Sequence, residues 1–185
     1  AHHLLSQVRA QAHVRDAILI GQSDGASTAL AFAGAHPESV HGVVAISPHL
    51  FREPRTLDAI RVQITDFEHG DLEARLQRHH GKKTEALFER LVEIWTSAEA
   101  AAGWGLEPYV GRIRCPVLAI QGQNDEFFSE RQLAALQACL HQGVETLRIA
   151  ECGHYPTNQA RDATLVAVAD FVRSLLQQSH ARVPG

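Results

Sequence analysis

The sequence predicts an α/β protein: a partial, doubly wound parallel sheet of about four strands, layered α/β/α and carrying a helical cap insertion. Three observations predict it. Short apolar runs recur along the chain with helix-period segments between them, the alternation that builds a parallel sheet. The runs are continuously apolar rather than alternating, so they need cover on both faces. Between two such stretches the chain turns to charged, helical segments, as an insertion would.

The elements follow in order. Leu4, Leu5, Val8 and Ala12 recur at helical spacing, a helix over 3–13 leading into a strand over 17–21. The turn Gly21-Gln22-Ser23-Asp24-Gly25 closes that strand. Ala26 to Ala35, rich in alanine with Leu30 and Phe32, is a packed helix stopped at His36-Pro37. Val40 to Ile46 is a second strand, ended by Ser47-Pro48. In the insertion, Leu57, Ile60, Ile64 and Phe67 share one helix face, Leu72 and Leu76 a second, and Leu87, Leu91, Ile94 and Trp95 a third. Gly103 to Pro108 closes it, and Cys115 to Ile120 restores the buried-strand pattern. Ser129-Glu130-Arg131-Gln132 reads as a capping box for a helix to about 141. Residues 144–149 form a fourth strand and 159–178 a final helix. The domain plan is core over 1–50 with the serine turn, helical cap insertion over 51–112, and core again over 113–185.

Composition narrows the function classes. A chain of 185 residues, 45% hydrophobic, can bury a sizeable single core. A net charge of −4 without a Lys/Arg stripe argues against nucleic acid, and the absence of a long apolar run argues against a membrane span. No secretory signal pattern opens the chain. Three cysteines without C-x-x-C spacing suggest neither a disulfide framework nor a zinc ribbon, so a cytoplasmic setting is expected. The chain has no methionine and opens mid-pattern at Ala1-His2-His3, which reads as a processed chain or a piece of a longer protein.

The chemistry sits at the strand ends. A serine hydroxyl attacks only if it stands clear of the backbone beside a base, and the base needs a partner to fix its tautomer. Parallel sheets gather such groups at the carboxyl ends of their strands. Ser23 follows the first strand, Asp125 the third within Gly122-Gln123-Asn124-Asp125, and His154 the fourth within Gly153-His154-Tyr155-Pro156. Gly21 and Gly25 frame the serine turn, where a Cβ is expected to crowd the neighbouring backbone.

This set resembles the α/β-hydrolase superfamily, and within it capped, esterase-type members whose serine turn reads Gly-x-Ser-Asp-Gly. The resemblance implies Ser23 as nucleophile, His154 as general base and then acid, Asp125 as orienting carboxylate, and the Asp24 backbone N–H as one oxyanion donor. Gln22 stands where many relatives have histidine, and Ala26 where many have a further glycine. The resemblance also implies that the earlier strands of the family's sheet, with the loop supplying a second oxyanion N–H, lie outside this chain. An N-terminal half or a second copy would then complete the sheet.

Blander readings stand beside these. Ser23 could cap the following helix, Asp125 could be a turn residue with Glu126 taking its part, and His154 is one of twelve histidines. Cys152 reads as a small buried residue, and the Asp24 side chain as turned away along the helix dipole. Gln22, Trp95 and Trp104 are candidate substrate-pocket residues, with cap packing an equal reading for the tryptophans. His79-His80 diverge on a helix, so no metal is expected. The expected function is a serine hydrolase taking a small-molecule ester or related acyl substrate through an acyl-enzyme, without metal or organic cofactor. Alternatives are a C–C bond hydrolase or lyase using the same triad, and a non-catalytic interaction protein or inactive fragment of the fold.

Overall fold

The computed structural model describes residues 2–99 and 105–181. Strands β1 (Ala17–Gln22), β2 (Val40–Ile46), β3 (Val117–Gly122) and β4 (Glu145–Ile149) form one parallel sheet in that order. Ile20 pairs with Val44, Val44 with Leu118, and Leu118 with Glu145. The inner strands are the continuously apolar ones: β3 is buried throughout and β2 everywhere except His41. Strands β1 and β4 lie at the edges, which leaves Ile20 56% exposed.

Nine helices surround the sheet among the described residues outside the segment 97–104: α1 (His2–Gln11), α2 (Asp24–Ala35), α3 (Pro54–His69), α4 (Leu72–His80), α5 (Thr84–Thr96), α6 (Glu107–Val110), α7 (Arg131–Cys139), α8 (Pro156–Gln159) and α9 (Arg161–Ala181). Alternate strand residues face opposite layers. Val43, Ala45, Val117 and Ala119 pack with Leu30 and Phe32 of α2 and Leu133 and Leu136 of α7. Val44, Ile46, Leu118 and Ile120 pack instead against Phe171 and Leu175 of α9. Each such side chain, fully buried, contributes about 1.5–3 kcal/mol. Helix α2 approaches α6 so closely that a Cβ on Gly34 would fall 1.8 Å from the Tyr109 carbonyl oxygen. The three-layer α/β/α arrangement is the predicted one.

The insertion supplies α3, α4 and α5, with Phe67 stacked on Phe88 at 4.1 Å. A third apolar cluster unites Ala59, Ile60 and Trp95 of these helices with Phe127 and Phe128 of the core. A buried polar knot reinforces that junction. The Glu53 carboxylate accepts from the Ser129 N–H (2.9 Å), the Ser129 hydroxyl (2.6 Å) and Gln132 Nε2 (2.7 Å). Burial pushes the Glu53 carboxyl up, but bonds from Ser129 and Gln132 and the nearby Arg131 outweigh it and hold it below its ordinary value.

One local expectation differs. Gln132 does not reach back to cap α7: it is fully buried and holds the Leu50 N–H and the Phe51 carbonyl, and Glu53 takes the Ser129 N–H instead. The final helix, expected over 159–178, runs over Arg161–Ala181, and a short helix the sequence did not signal precedes it. The turn of α8 starts at Pro156 and breaks at Ala160, where φ is −139°, before α9 begins.

Candidate active site

Ser23 is the single residue between β1 and α2, and it makes the turn with φ 55° and ψ −123°. Such a conformation costs about 1–3 kcal/mol in a non-glycine residue and persists only where its surroundings enforce it. Here the Ser23 N–H donates to the Ile46 carbonyl at 2.9 Å. Gly21 is required by space, since a Cβ there would stand 2.3 Å from the Gly25 carbonyl oxygen. Gly25 departs from expectation. A Cβ on it meets no heavy atom within 4 Å among the described residues, because the crowding falls on Gly21.

The strained turn presents the hydroxyl. Ser23 makes no side-chain cap to α2; its Oγ lies 2.9 Å from His154 Nε2. His154 Nδ1 lies 3.0 and 3.2 Å from the two Asp125 oxygens, and both residues are buried. Asp125 Oδ1 also accepts the N–H groups of Phe127 (2.9 Å) and Phe128 (3.0 Å), which fixes the carboxylate plane. With Nδ1–H donated to Asp125, Nε2 is left to accept the Ser23 proton. The three strand-end residues therefore meet in one hydrogen-bonded chain.

Glu126 does something else. Its Oε2 accepts the backbone N–H of His154 at 3.1 Å, while Asp125 meets the ring. The His154 carbonyl accepts from Ser47 Oγ at 3.0 Å and, more weakly, from Gln22 Nε2 at 3.5 Å. Gln22 Oε1 in turn accepts the Thr157 hydroxyl at 2.7 Å. Gln22 thus ties down the histidine loop rather than standing among the cavity-lining residues. Cys152 is buried, and burial followed by Asp125 and Glu126 pushes its thiol up, which keeps it protonated.

Asp24 is the first residue of α2, so its N–H is among those with no acceptor inside the helix. Its carboxylate does not simply follow the helix axis outward. Oδ1 stands 3.4 Å from Nε2 of His49, and Asp24 lines the same cavity as Ser23. Burial raises the Asp24 carboxyl above its ordinary value, partly offset by His154. The His49 ring is buried, stacked on Phe128 at 4.7 Å and edge-on to Trp95 at 4.9 Å. Burial, helped by the nearby His154, pushes its pKa down to about 3, so it is neutral near pH 7.

A cavity of about 100 Å³ opens onto Ser23 and His154. Phe127, Phe128 and Tyr155 line it from the core, and Ile60, Gln63, Leu91 and Trp95 from α3 and α5. Trp95 thus takes part in both the lining and the cap-to-core packing. Trp104 lies outside the described residues. Broader clefts occur elsewhere, one of them at the amino ends of β2 and β3, lined by His41, Arg114 and Pro116 and away from the serine. No group of three or more His, Cys, Asp or Glu side chains is placed to hold a metal ion among the described residues. Sequence reasoning passed over His49, Ser47 and Gln63. The first two follow the carboxyl end of β2 and obey the rule that located Ser23, Asp125 and His154.

No protein-family model and no curated protein matches the sequence. Solved structures do match. A membrane phospholipase A, described as a bacterial virulence factor, superposes with a TM-score of 0.73 at 20% identity, over 94% of this chain and 62% of its own. An alpha/beta hydrolase enzyme from a Medee basin deep-sea metagenome library gives 0.67 at 20% identity, over 92% and 70%. A meta-cleavage product hydrolase from Pseudomonas fluorescens gives 0.68 at 16% identity, over 90% and 68%. The chain thus spans 62% of the length of the phospholipase it matches. It has the α/β-hydrolase fold.

Proposed function

We propose that this chain carries the catalytic residues of a serine hydrolase that cleaves a small-molecule ester or related acyl compound. One observation supports the reading above all: Ser23 Oγ, His154 and Asp125 form a continuous chain with links of 2.9 and 3.0 Å. In the first half-reaction Ser23 Oγ attacks the acyl carbon as its proton passes to His154 Nε2. Asp125 stabilises the imidazolium. The tetrahedral oxyanion takes the Asp24 N–H, and His154 returns the proton to the leaving alcohol. Water, activated by the same imidazole, then releases the acid from Ser23. No step calls for a metal or organic cofactor.

A second oxyanion donor is assigned to backbone beside the outer edge of β1, from a longer form of the protein or a second copy. Strand β1 pairs with β2 alone among the described strands. A reducing, cytoplasmic setting suits the three cysteines, all of them free thiols. No described helix is long and apolar enough to cross a membrane. A second reading, C–C bond hydrolysis by the same triad, is favoured only by the likeness to the meta-cleavage product hydrolase. The inactive-fragment reading is disfavoured because Ser23 spends its hydroxyl on His154 rather than on a helix cap. Hydrolysis of p-nitrophenyl acetate tests the proposal: Ser23→Ala is expected to lose at least ~10³-fold in kcat. Unchanged turnover in that variant contradicts it.

A further inference from the structure

We propose that the cavity selects an acyl group that is short and bears no negative charge, with Asp24 setting the charge rule and Leu91 and Trp95 the length. The inference rests on the serine-hydrolase reading and names its substrate class.

Size comes first. The cavity of about 100 Å³ is smaller than the ~150 Å³ that holds benzene, room for an acetyl to butyryl chain. Its far wall belongs to the insertion. Ile60 and Trp95 are buried and packed in the cluster with Phe127 and Phe128, so that wall cannot simply swing aside. Leu91, 38% exposed, closes the rim.

Charge comes second. Among the described residues no Lys or Arg lines the cavity, and Asp24 brings the carboxylate to its wall. The charge of His154, when it forms, is matched by Asp125 at 3.0 Å. The buried, neutral His49 ring, 3.4 Å from Asp24, brings that carboxylate no cation. Burial already works against the Asp24 charge. Although the Asp24 side chain is itself 66% exposed, a second carboxylate held beside it would meet like-charge repulsion. Gln63 gives the insertion's wall an uncharged polar group, suited to a neutral substrate.

Three ethyl esters separate the rules: ethyl butyrate, monoethyl succinate of the same carbon count, and ethyl octanoate. Release of ethanol by the full chain is measured, with fluorophosphonate labelling of Ser23 alongside. The expected kcat/KM for butyrate exceeds that for monoethyl succinate by about tenfold or more. Asp24→Asn, which keeps the backbone N–H, narrows that ratio. Leu91→Ala raises octanoate relative to butyrate, and its partial exposure lets the fold tolerate the change. Ser23 labelled without discrimination among the esters, or ratios unmoved in both variants, overturns the selection rule alone. No labelling and no ethanol from any ester overturns the serine-hydrolase reading, and this inference with it.

Discussion

Gly122, the last residue of β3, lies so close to the Cys152 carbonyl that a Cβ on it would stand 2.2 Å from that oxygen. The contact is the seam between the loop that carries Asp125 and the loop that carries His154. Hydrogen bonds from Gln123 N–H to Ile149 O (2.9 Å) and from Asn124 N–H to Cys152 O (2.8 Å) run along the same seam. Backbone packing therefore registers the loops of Asp125 and His154 against each other, independently of their side-chain contact.

Replacing Gly122 tests that registration. Gly122→Ala must push the histidine loop away, and overpacking of this kind costs about 1–3 kcal/mol. A displacement near 1 Å at a reacting group lowers rate by about 10²-fold. Steady-state kinetics with urea unfolding should show kcat falling much more than KM rises. A variant with unchanged kcat would show that the seam does not position His154.

Asp125 and Glu126 are adjacent carboxylates with separate tasks, one on the ring and one on the backbone of His154. Asp125→Asn disturbs the imidazole tautomer and is expected to cost about 10⁴-fold in kcat. Glu126→Gln retains an oxygen acceptor for the His154 N–H and should cost less than about tenfold. Side-by-side kcat values decide it, and a larger loss at Glu126 reverses the assignment.

The three candidate catalytic positions were legible because each lies within a few residues of a strand end, and a parallel sheet brings its strand ends together whatever lies between. Ser23 was further marked by Gly21, whose missing Cβ has a reason in space. What stayed hidden depended on how closely loops approach one another. Gln22 and Thr157 meet across 135 positions, and Glu53 serves Ser129 and Gln132 across 76 and 79. Polar residues occur in most loops, and periodicity does not say which backbone group each will find. The same limit explains the local misreadings. Ser129 and Gln132 have capping-box spacing, yet a glutamate from the start of the insertion outcompetes the local partner. His49 was legible in principle from its place after β2, but its neutral, ring-stacked state needed Trp95 and Phe128 brought beside it.

Buried His49 also predicts a dependence of stability on pH. Its folded pKa is about 3 against an ordinary 6.5, so below 6.5 the unfolded chain binds a proton that the folded one refuses. The stability it contributes is complete above pH 6.5 and is lost as pH falls toward 3, with a slope of at most about 1.4 kcal/mol per pH unit. Urea unfolding from pH 7.5 to 5 should show His49→Phe losing less stability than the parent on acidification. Parallel curves would mean that His49 is not held neutral.

The central claim is that Ser23 is a nucleophile made reactive by His154. Mass spectrometry of the chain after treatment with a fluorophosphonate tests it most directly. The predicted result is one phosphonyl adduct on the peptide containing Ser23, formed rapidly in the parent and at least ~10³-fold more slowly in His154→Ala. Adduct on another residue, or equal labelling of Ser23 in both proteins, would contradict it.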